Sequence, residues 1–149
     1  MAGSTIVIER RLLKSKIFRT LNGTAKTVLL DFMMKRKMQK APGKPGKNNK
    51  WIVTNNGEME YTYSEAEKKG IPRSSFMRAI DTLVESGFID IAHSGSGGKK
   101  GDKSLYAISD RWKDWGTDDF VEATRRKDHR QGRGFARYWE EQNRHGYQN

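Results

Sequence analysis

A glycine-rich segment carries the residue types from which phosphate-binding loops are built. Residues 97–104 read Gly-Gly-Lys-Lys-Gly-Asp-Lys-Ser, close to the nucleotide-binding pattern G-x-x-x-x-G-K-[ST]. Asp102 stands where that pattern requires its second glycine, and a carboxylate there would oppose the nucleotide phosphates. The residues after Ser104 predict a strand, whereas the pattern requires a helix N-terminus that supplies amide groups. We therefore predict no nucleotide site in this segment.

Other arrangements that could support catalysis or metal binding are incomplete. His93 and Ser94 adjoin the glycine-rich segment, but no third residue is identifiable that would orient the histidine or activate the serine. The three histidines of the chain have no ligand-like spacing. Asp118 and Asp119 could share a metal ion, but adjacent acids at the start of a predicted helix more often complement its dipole. We therefore expect a non-enzymatic protein with no metal and no cofactor.

Two further groups of residues have the chemistry of nucleic-acid contacts. Arginine and small polar side chains at the start of a helix can reach base edges, and lysines on a loop can hold backbone phosphates. The first group is predicted at the start of a helix and comprises Arg73, Ser74, Ser75, Met77 and Arg78. The second group comprises Lys99, Lys100 and Lys103. Both groups need a folded support that presents them on one side of the protein.

Two helices separated by a tight turn would position the first group. The segment 63–70 predicts a short helix that Ser64 caps and Gly70 ends, and residues 71–74 form the turn. A longer helix begins near Ser74 or Ser75. Its apolar residues recur with a helical period and predict one buried face, comprising Phe76, Ile80, Leu83 and Val84.

A strand pair would position the lysines. Residues 88–92 alternate as a half-buried strand does, after Ser86 and Gly87 end the helical period, and residues 105–108 predict its partner. Residues 94–104 between them, here called the flap, contain no apolar residue. The three lysines of the flap exceed its single acid, Asp102, which suits a loop lying along a phosphate backbone.

The stretch from Glu65 to Ile89 resembles the core of winged helix-turn-helix DNA-binding proteins. In that family a short helix, a glycine turn and a recognition helix led by serine or arginine precede a Leu-x-x-x-Gly-Phe/Leu-Ile motif; here residues 83–89 read Leu-Val-Glu-Ser-Gly-Phe-Ile. Among its branches the chain is most similar to phage replication protein O, plasmid replication initiators and MarR-like regulators. The resemblance covers residues 15–110. It implies base contacts by the first group and a wing formed by the flap. Glu65, Glu67 and Asp81 depart from the pattern, because they would repel phosphate if they faced it, and so does the long basic insert at residues 39–50.

The N-terminal half predicts further parts of such a domain. Residues 5–8 could add a strand, residues 15–21 a short helix, and residues 22–24 cap a core helix that runs to about Met38. The exposed end of that helix would add phosphate contacts through Lys35, Arg36 and Lys37. Residues 39–50 predict a mobile basic loop. Residues 51–54 and 59–62 predict a hairpin around Asn55-Asn-Gly, with one strand joining the flap strands.

The C-terminal part predicts a separate basic tail. Aromatic residues of the segment 111–115 would pack near the domain, and residues 117–119 would cap a helix from about Phe120 to Lys127. Arginines, glycines and aromatic residues then alternate up to Trp139. Such a tail can hold single-stranded nucleic acid by charge and stacking. It could equally dock onto the domain or form a dimer contact.

Composition and charge agree with a nucleic-acid partner. The 149 residues carry a net charge of +11, and residues 1–50 account for all of that excess. No cysteine occurs, which fits the reducing cytosol, and no run approaches the roughly 18 apolar residues of a membrane span. We therefore expect a cytoplasmic protein with no membrane partner.

These observations predict an α+β fold, namely a winged helix-turn-helix domain with a three-helix core and a small antiparallel sheet. We expect a tail over residues 1–14, the domain over 15–115, and a basic aromatic tail, helical or partly disordered, over 116–149. The expected function is sequence-specific binding of double-stranded DNA, in transcriptional regulation or in replication initiation of a mobile element. The alternative is an accessory protein that binds single-stranded DNA or RNA through its tail. A homodimer remains open.

Overall fold

A computed structural model describes residues 4–43, 50–95 and 102–125 of the chain. These residues form a mixed α+β fold with two antiparallel sheets of two strands each. The helices are α1 (Arg10–Lys14), α2 (Lys16–Thr20), α3 (Gly23–Lys35), α4 (Tyr63–Lys68) and α5 (Arg73–Glu85). The strands are β1 (Met38–Lys40), β2 (Trp51–Val53), β3 (Ile89–His93) and β4 (Leu105–Ile108), followed by a 3-10 helix, Arg111–Asp114.

The N-terminal segment contains two short helices that meet at Ser15. The Ser15 hydroxyl donates to the carbonyl of Leu12 at 2.7 Å and accepts from the backbone N–H of Phe18 at 3.2 Å. It therefore ends α1 and caps α2. The prediction of a helix over 15–21 is confirmed, whereas α1 was not predicted. The strand expected over residues 5–8 does not form; instead the carbonyl of Val7 accepts from Arg36.

Helix α3 is the central helix of the core, and its predicted start is confirmed. The Asn22 side chain accepts from the backbone N–H of Ala25 at 2.8 Å, as expected of a cap. The helix ends at Lys35, before the predicted end at Met38, because Arg36 is extended and side chains cap the last turn. Arg36 Nε donates to the carbonyl of Met33, and Asn55 Nδ2 donates to that of Lys35.

The hairpin of β1 and β2 corrects two predictions. Residues 39 and 40 belong to β1, so the predicted loop 39–50 is shorter, and its residues 44–49 lie outside the described part. Strand β2 pairs with β1 and not with residues 59–62. The predicted turn does form, but its two asparagines bind different elements: Asn55 accepts from the Lys37 N–H, and Asn56 accepts from and donates to the backbone of Ile108.

The segment after this turn joins the other sheet through a single pair of residues. Met59 and Tyr106 exchange backbone hydrogen bonds of 3.2 and 2.8 Å, which adds a one-residue bridge beside β4. The expectation that one of the early strands would join the flap strands is thus met only at Met59. This bridge lies at the core, where the rings of Phe32 and Tyr106 are 5.2 Å apart.

Helices α4 and α5 form the helical pair expected from the sequence. Thr62, not Ser64, caps α4, since its side chain accepts from the Glu65 N–H at 3.1 Å. Gly70 follows α4 with φ of +85°, a conformation that favours glycine. Every residue of the predicted apolar face of α5 is buried, and Ala79 joins it. This face packs against α3.

The strands that follow α5 lead into a 3-10 helix that packs on the core. Strands β3 and β4 pair as predicted, with an irregularity between Ile91 and His93. Trp112 in the 3-10 helix is buried and stacks on Phe88 at 5.8 Å, as expected, whereas Trp115, the second aromatic residue of this segment, is exposed.

The helix predicted from Phe120 to Lys127 is absent over its described residues, 120–125. The carbonyl of Val121 accepts from Arg111 Nη1 at 2.9 Å and is not used in a helical ladder, and Arg125 forms an ion pair with Asp81. Because so short a helix is marginal by itself, these tertiary contacts outweigh its intrinsic tendency. Residues 126–149, which hold most of the predicted tail, lie outside the described part.

Within the three described ranges, no helix combines the length and apolar character that a membrane crossing requires.

Candidate nucleic-acid interface

The first turns of α5 present the group of residues predicted to contact bases. The side chains of Arg73, Ser74 and Arg78 are exposed, while Ser75 and Met77 are half-buried. Pro72 precedes the helix and provides no side-chain cap, so the first N–H groups of α5 carry their partial positive charge without a side-chain acceptor. The structure thus brings the five residues to one end of one helix.

The two arginines of this group have different surroundings. The Arg73 guanidinium lies over the ring of Tyr63, 4.4 Å from its centroid, which restrains the side chain by a cation–π contact. Arg78 forms no ion pair with any residue in the described ranges. A guanidinium that is exposed and unpaired can make the bidentate hydrogen bonds by which arginine recognises guanine. Arg78 is therefore the better placed of the two for base contact.

The base of the flap is closed by side-chain contacts. His93 Nε2 and Asp102 Oδ1 are 2.8 Å apart, and the Ser104 hydroxyl accepts from the Gly95 N–H at 3.0 Å. Ser104 leads into β4, a strand, as the sequence predicts. Lys103 is exposed and 3.6 Å from Glu60 Oε2, a contact too exposed to hold it strongly. Lys99 and Lys100 lie outside the described residues.

The three basic residues at the end of α3 are not equally accessible. Lys35 Nζ is 2.6 Å from Glu65 Oε2 and lies 4.8 Å from the ring centroid of Tyr61. Arg36 donates to two backbone carbonyls, and burial lowers the pKa of its guanidinium. Only Lys37 has an exposed side chain. The expectation that all three are exposed is wrong for Lys35 and Arg36, because both make internal contacts.

The carboxylate of Glu65, a departure from the winged-helix pattern, is neutralised by two lysines. Besides Lys35, Lys69 Nζ lies 3.3 Å from Glu65 Oε2 and 3.7 Å from Asp31 Oδ1. Asp31 also accepts a hydrogen bond of 2.5 Å from the Tyr61 hydroxyl, and burial together with this bond raises the pKa of Tyr61. Burial alone would raise the pKa of Glu65, but Lys35 and Lys69 together lower it below the ordinary value.

Replacing Glu65 with glutamine is expected to reduce the dependence of stability on acid pH. Because the pKa of Glu65 is lowered in the folded state, its carboxylate stabilises the fold above the unfolded pKa, and this stabilisation is lost as pH falls through the folded pKa. We expect a loss of less than about 1 kcal/mol at pH 7, since the pairs are partly exposed. The loss should begin to shrink below about pH 4 and vanish below the lowered folded pKa of Glu65, as measured by urea unfolding across the pH range.

Glu67→Gln is the matched control for this change, because Glu67 is an exposed acid on the same helix. It should leave both the stability at pH 7 and the acid profile unchanged. If the two variants had the same acid profile, the lysine contacts of Glu65 would not explain its role.

The carboxylate of Asp81 is neutralised from the C-terminal segment. Arg125 Nε donates to Asp81 Oδ1, and this hydrogen bond raises the pKa of Arg125. The two residues are separated by 44 positions, so no local pattern in the sequence could reveal the pair. Arg78, which is much closer to Asp81 in the sequence, does not pair with it in the structure. The polar face of α5 consequently carries a neutral pair where the sequence suggested an isolated acid.

Metal ligands do not cluster in the described ranges. Asp118 and Asp119 are both exposed, and no group of three or more histidine, aspartate or glutamate side chains there could hold a metal ion. Residues at the start of α5 and on the flap thus define the candidate interface, and its chemistry is that of hydrogen bonding and charge.

Comparisons of the chain with protein-family models, with curated proteins and with solved structures gave no match.

Proposed function

We propose that the protein binds double-stranded DNA in a sequence-specific manner through a winged helix and that it is not an enzyme. The observation that carries the proposal is the exposed start of α5, where Arg73, Ser74 and Arg78 extend from a helix whose opposite face is buried in the core. A helix fixed by such packing can enter the major groove with its first turns against base edges. The proposal includes a cytoplasmic location.

The order of elements supports this proposal. Apart from the inserted hairpin β1–β2, the order along the chain is helix α3, the bridge at Met59, helices α4 and α5, and the pair β3–β4. Winged-helix domains, which the sequence resembles, use this order of helix, strand, two helices and hairpin. In the proposed complex α5 reads bases, and α4 braces it. The flap holds the adjacent backbone or minor groove through Lys103, together with Lys99 and Lys100.

The ion pairs of Glu65 and Asp81 reduce the repulsion of phosphate that the sequence led us to expect from these acids. Glu65 is paired with lysines and Asp81 with Arg125, so neither carboxylate is available to repel phosphate at full strength. Glu67 keeps an exposed side chain on α4. In the proposal Lys37 and the basic residues that follow it add contacts that do not depend on sequence.

Transcriptional regulation and replication initiation on a mobile element both fit this proposal. In both roles a small DNA-binding protein recognises a site and recruits enzymes. A binding-site selection from random duplexes, carried out at near-physiological salt, would test the proposal directly. An enriched motif is the expected result, and equal retention of all sequences would contradict sequence-specific binding.

Arg78→Ala is expected to relax sequence preference. Loss of a bidentate contact to a base edge costs about 1–3 kcal/mol on the preferred site and little on random duplex. The measurement is titration of the selected site and of a scrambled duplex by fluorescence anisotropy. Lys103→Ala is the control, since removal of a phosphate contact should weaken both duplexes alike and reduce the salt dependence of binding. Equal loss on both duplexes for Arg78→Ala would refute its role in base reading.

A further inference from the structure

A basic groove lies on the N-terminal helices, away from the start of α5. It has a volume of about 830 Å³ and runs between α1, the start of α2 and the 3-10 helix. Its cationic lining residues are Arg10, Arg11, Lys14, Lys16 and Lys113. Among the residues that the structure describes, no acid lines it. Cations gathered in this way repel one another unless an anion lies among them, so the groove suits a polyanionic ligand.

Most of these cations are not neutralised by the protein. Lys113 is 3.5 Å from Asp110 and 3.8 Å from Glu9, both exposed carboxylates. Among the described residues the other four form no ion pair. Arg11 instead lies over the ring of Trp112, 5.9 Å from its centroid. The positive charge therefore remains available to a ligand.

The groove also has an accessible aromatic surface. Trp115 lines it with 43% of its surface exposed, and its backbone N–H donates to the carbonyl of Trp112 at 3.1 Å, which anchors the main chain there. Trp112 is only 5% exposed and stacks on Phe88, so it forms a rigid wall. The indole of Trp115 is thus the ring on which a ligand can stack.

We propose that this groove binds single-stranded nucleic acid. The cations would hold consecutive phosphates, and an unstacked base would lie on the indole of Trp115. Duplex DNA fits the groove less well, because its bases are stacked on one another and offer no free ring face. An anionic lipid surface would also attract the cations and could accept an exposed indole, but a flat bilayer meets only the rim of a groove, whereas a single strand can lie inside it. The observations therefore favour single strands.

This site is distinct from the proposed reading surface. Phe88 follows the C-terminal end of α5 and contacts Trp112, whereas Arg73 begins the helix. A helix of 13 residues is roughly 20 Å long. The groove and the start of α5 therefore lie at opposite ends of one helix, and a variant in one should leave the other intact.

Anisotropy titrations of the full chain with a fluorescent oligothymidylate of about 12 nucleotides test the proposal. Trp115→Ala should weaken binding roughly 5- to 150-fold, the range expected for loss of one stacked base. Trp115→Phe should retain most of the wild-type affinity, since phenylalanine keeps an aromatic ring at this position. Lys14→Ala with Lys16→Ala should weaken binding and reduce its salt dependence.

Trp51→Ala is the matched control, because Trp51 is 59% exposed and has a cation over its ring, Lys40, but lies on β2 outside the groove. It should leave the affinity unchanged. Equal effects of the two tryptophan variants, or none in either, would overturn the proposal. So would loss of binding to phosphatidylserine vesicles in the lysine variant while oligothymidylate affinity stays unchanged. Arg78→Ala should not alter oligothymidylate binding, which separates this site from the proposed duplex site.

Discussion

Gly87→Ala is expected to lower the free energy of unfolding by about 3 kcal/mol. Gly87 has φ of +86°, which costs an alanine conformational energy. In addition, a Cβ atom there would lie 2.6 Å from the backbone N of Trp112 and 2.9 Å from the carbonyl carbon of Arg111. Backbone atoms cannot relieve this close contact by a change of rotamer, as a side chain can. The 3-10 helix would have to shift, and the stack of Trp112 on Phe88 would loosen with it.

Gly70→Ala is the control that measures only the conformational cost of a positive φ for alanine. Gly70 has nearly the same φ, +85°, but a Cβ atom there would meet nothing within 4 Å. Its cost should be about 1 kcal/mol, the conformational part only. Urea unfolding followed by circular dichroism measures both variants. If they lost the same stability, contact with the 3-10 helix would not be what requires glycine at position 87.

Arg111→Ala is expected to cost about 2–4 kcal/mol of stability. Its guanidinium is largely buried and donates to the carboxylate of Asp90 and to the carbonyls of Val84, Ile89 and Val121. Helix α5 has no basic residue in its own last turn, so Arg111 supplies the cation that the helix dipole favours there. The substitution leaves an acid and several carbonyls without this partner.

Lys113→Ala tests whether the stability depends on the specific contacts of Arg111 or on any positive charge in the 3-10 helix. Lys113 belongs to the same 3-10 helix, but its ion pairs involve exposed carboxylates and should contribute under about 1 kcal/mol. Thermal unfolding of both variants gives the comparison. A loss for Lys113→Ala as large as that for Arg111→Ala would show that charge in the segment, and not the contacts of one guanidinium, stabilises the fold.

The elements predicted correctly are those whose signals are local. The cap at Asn22, the apolar period of α5 and the glycine after α4 lie within a few residues of the structures they specify. Strand β1 was missed because its three residues pair with β2 across a segment that has no apolar residue between Pro42 and Lys50. A strand so short is recognisable only once its partner is known.

The candidate interface was predicted as residue types but not as contacts. The positions of Arg73, Ser74 and Arg78 followed from helical periodicity, which separates the buried face from the exposed one. Periodicity cannot tell that Lys35 turns towards Glu65, or that Arg125 reaches Asp81, because such pairs join residues 30 and 44 positions apart. The groove on α1 and α2 was missed for the same reason, since Trp115 comes from the far end of the domain.

The ion pair between Arg125 and Asp81 links the polar face of α5 energetically to the chain that follows Arg125. A ligand that draws Arg125 away leaves an uncompensated carboxylate on α5, and an anion bound at α5 favours the paired state. Reciprocity then requires each ligand to weaken the other by the same factor. One partly exposed ion pair limits this antagonism to about 1 kcal/mol, or roughly fivefold in affinity.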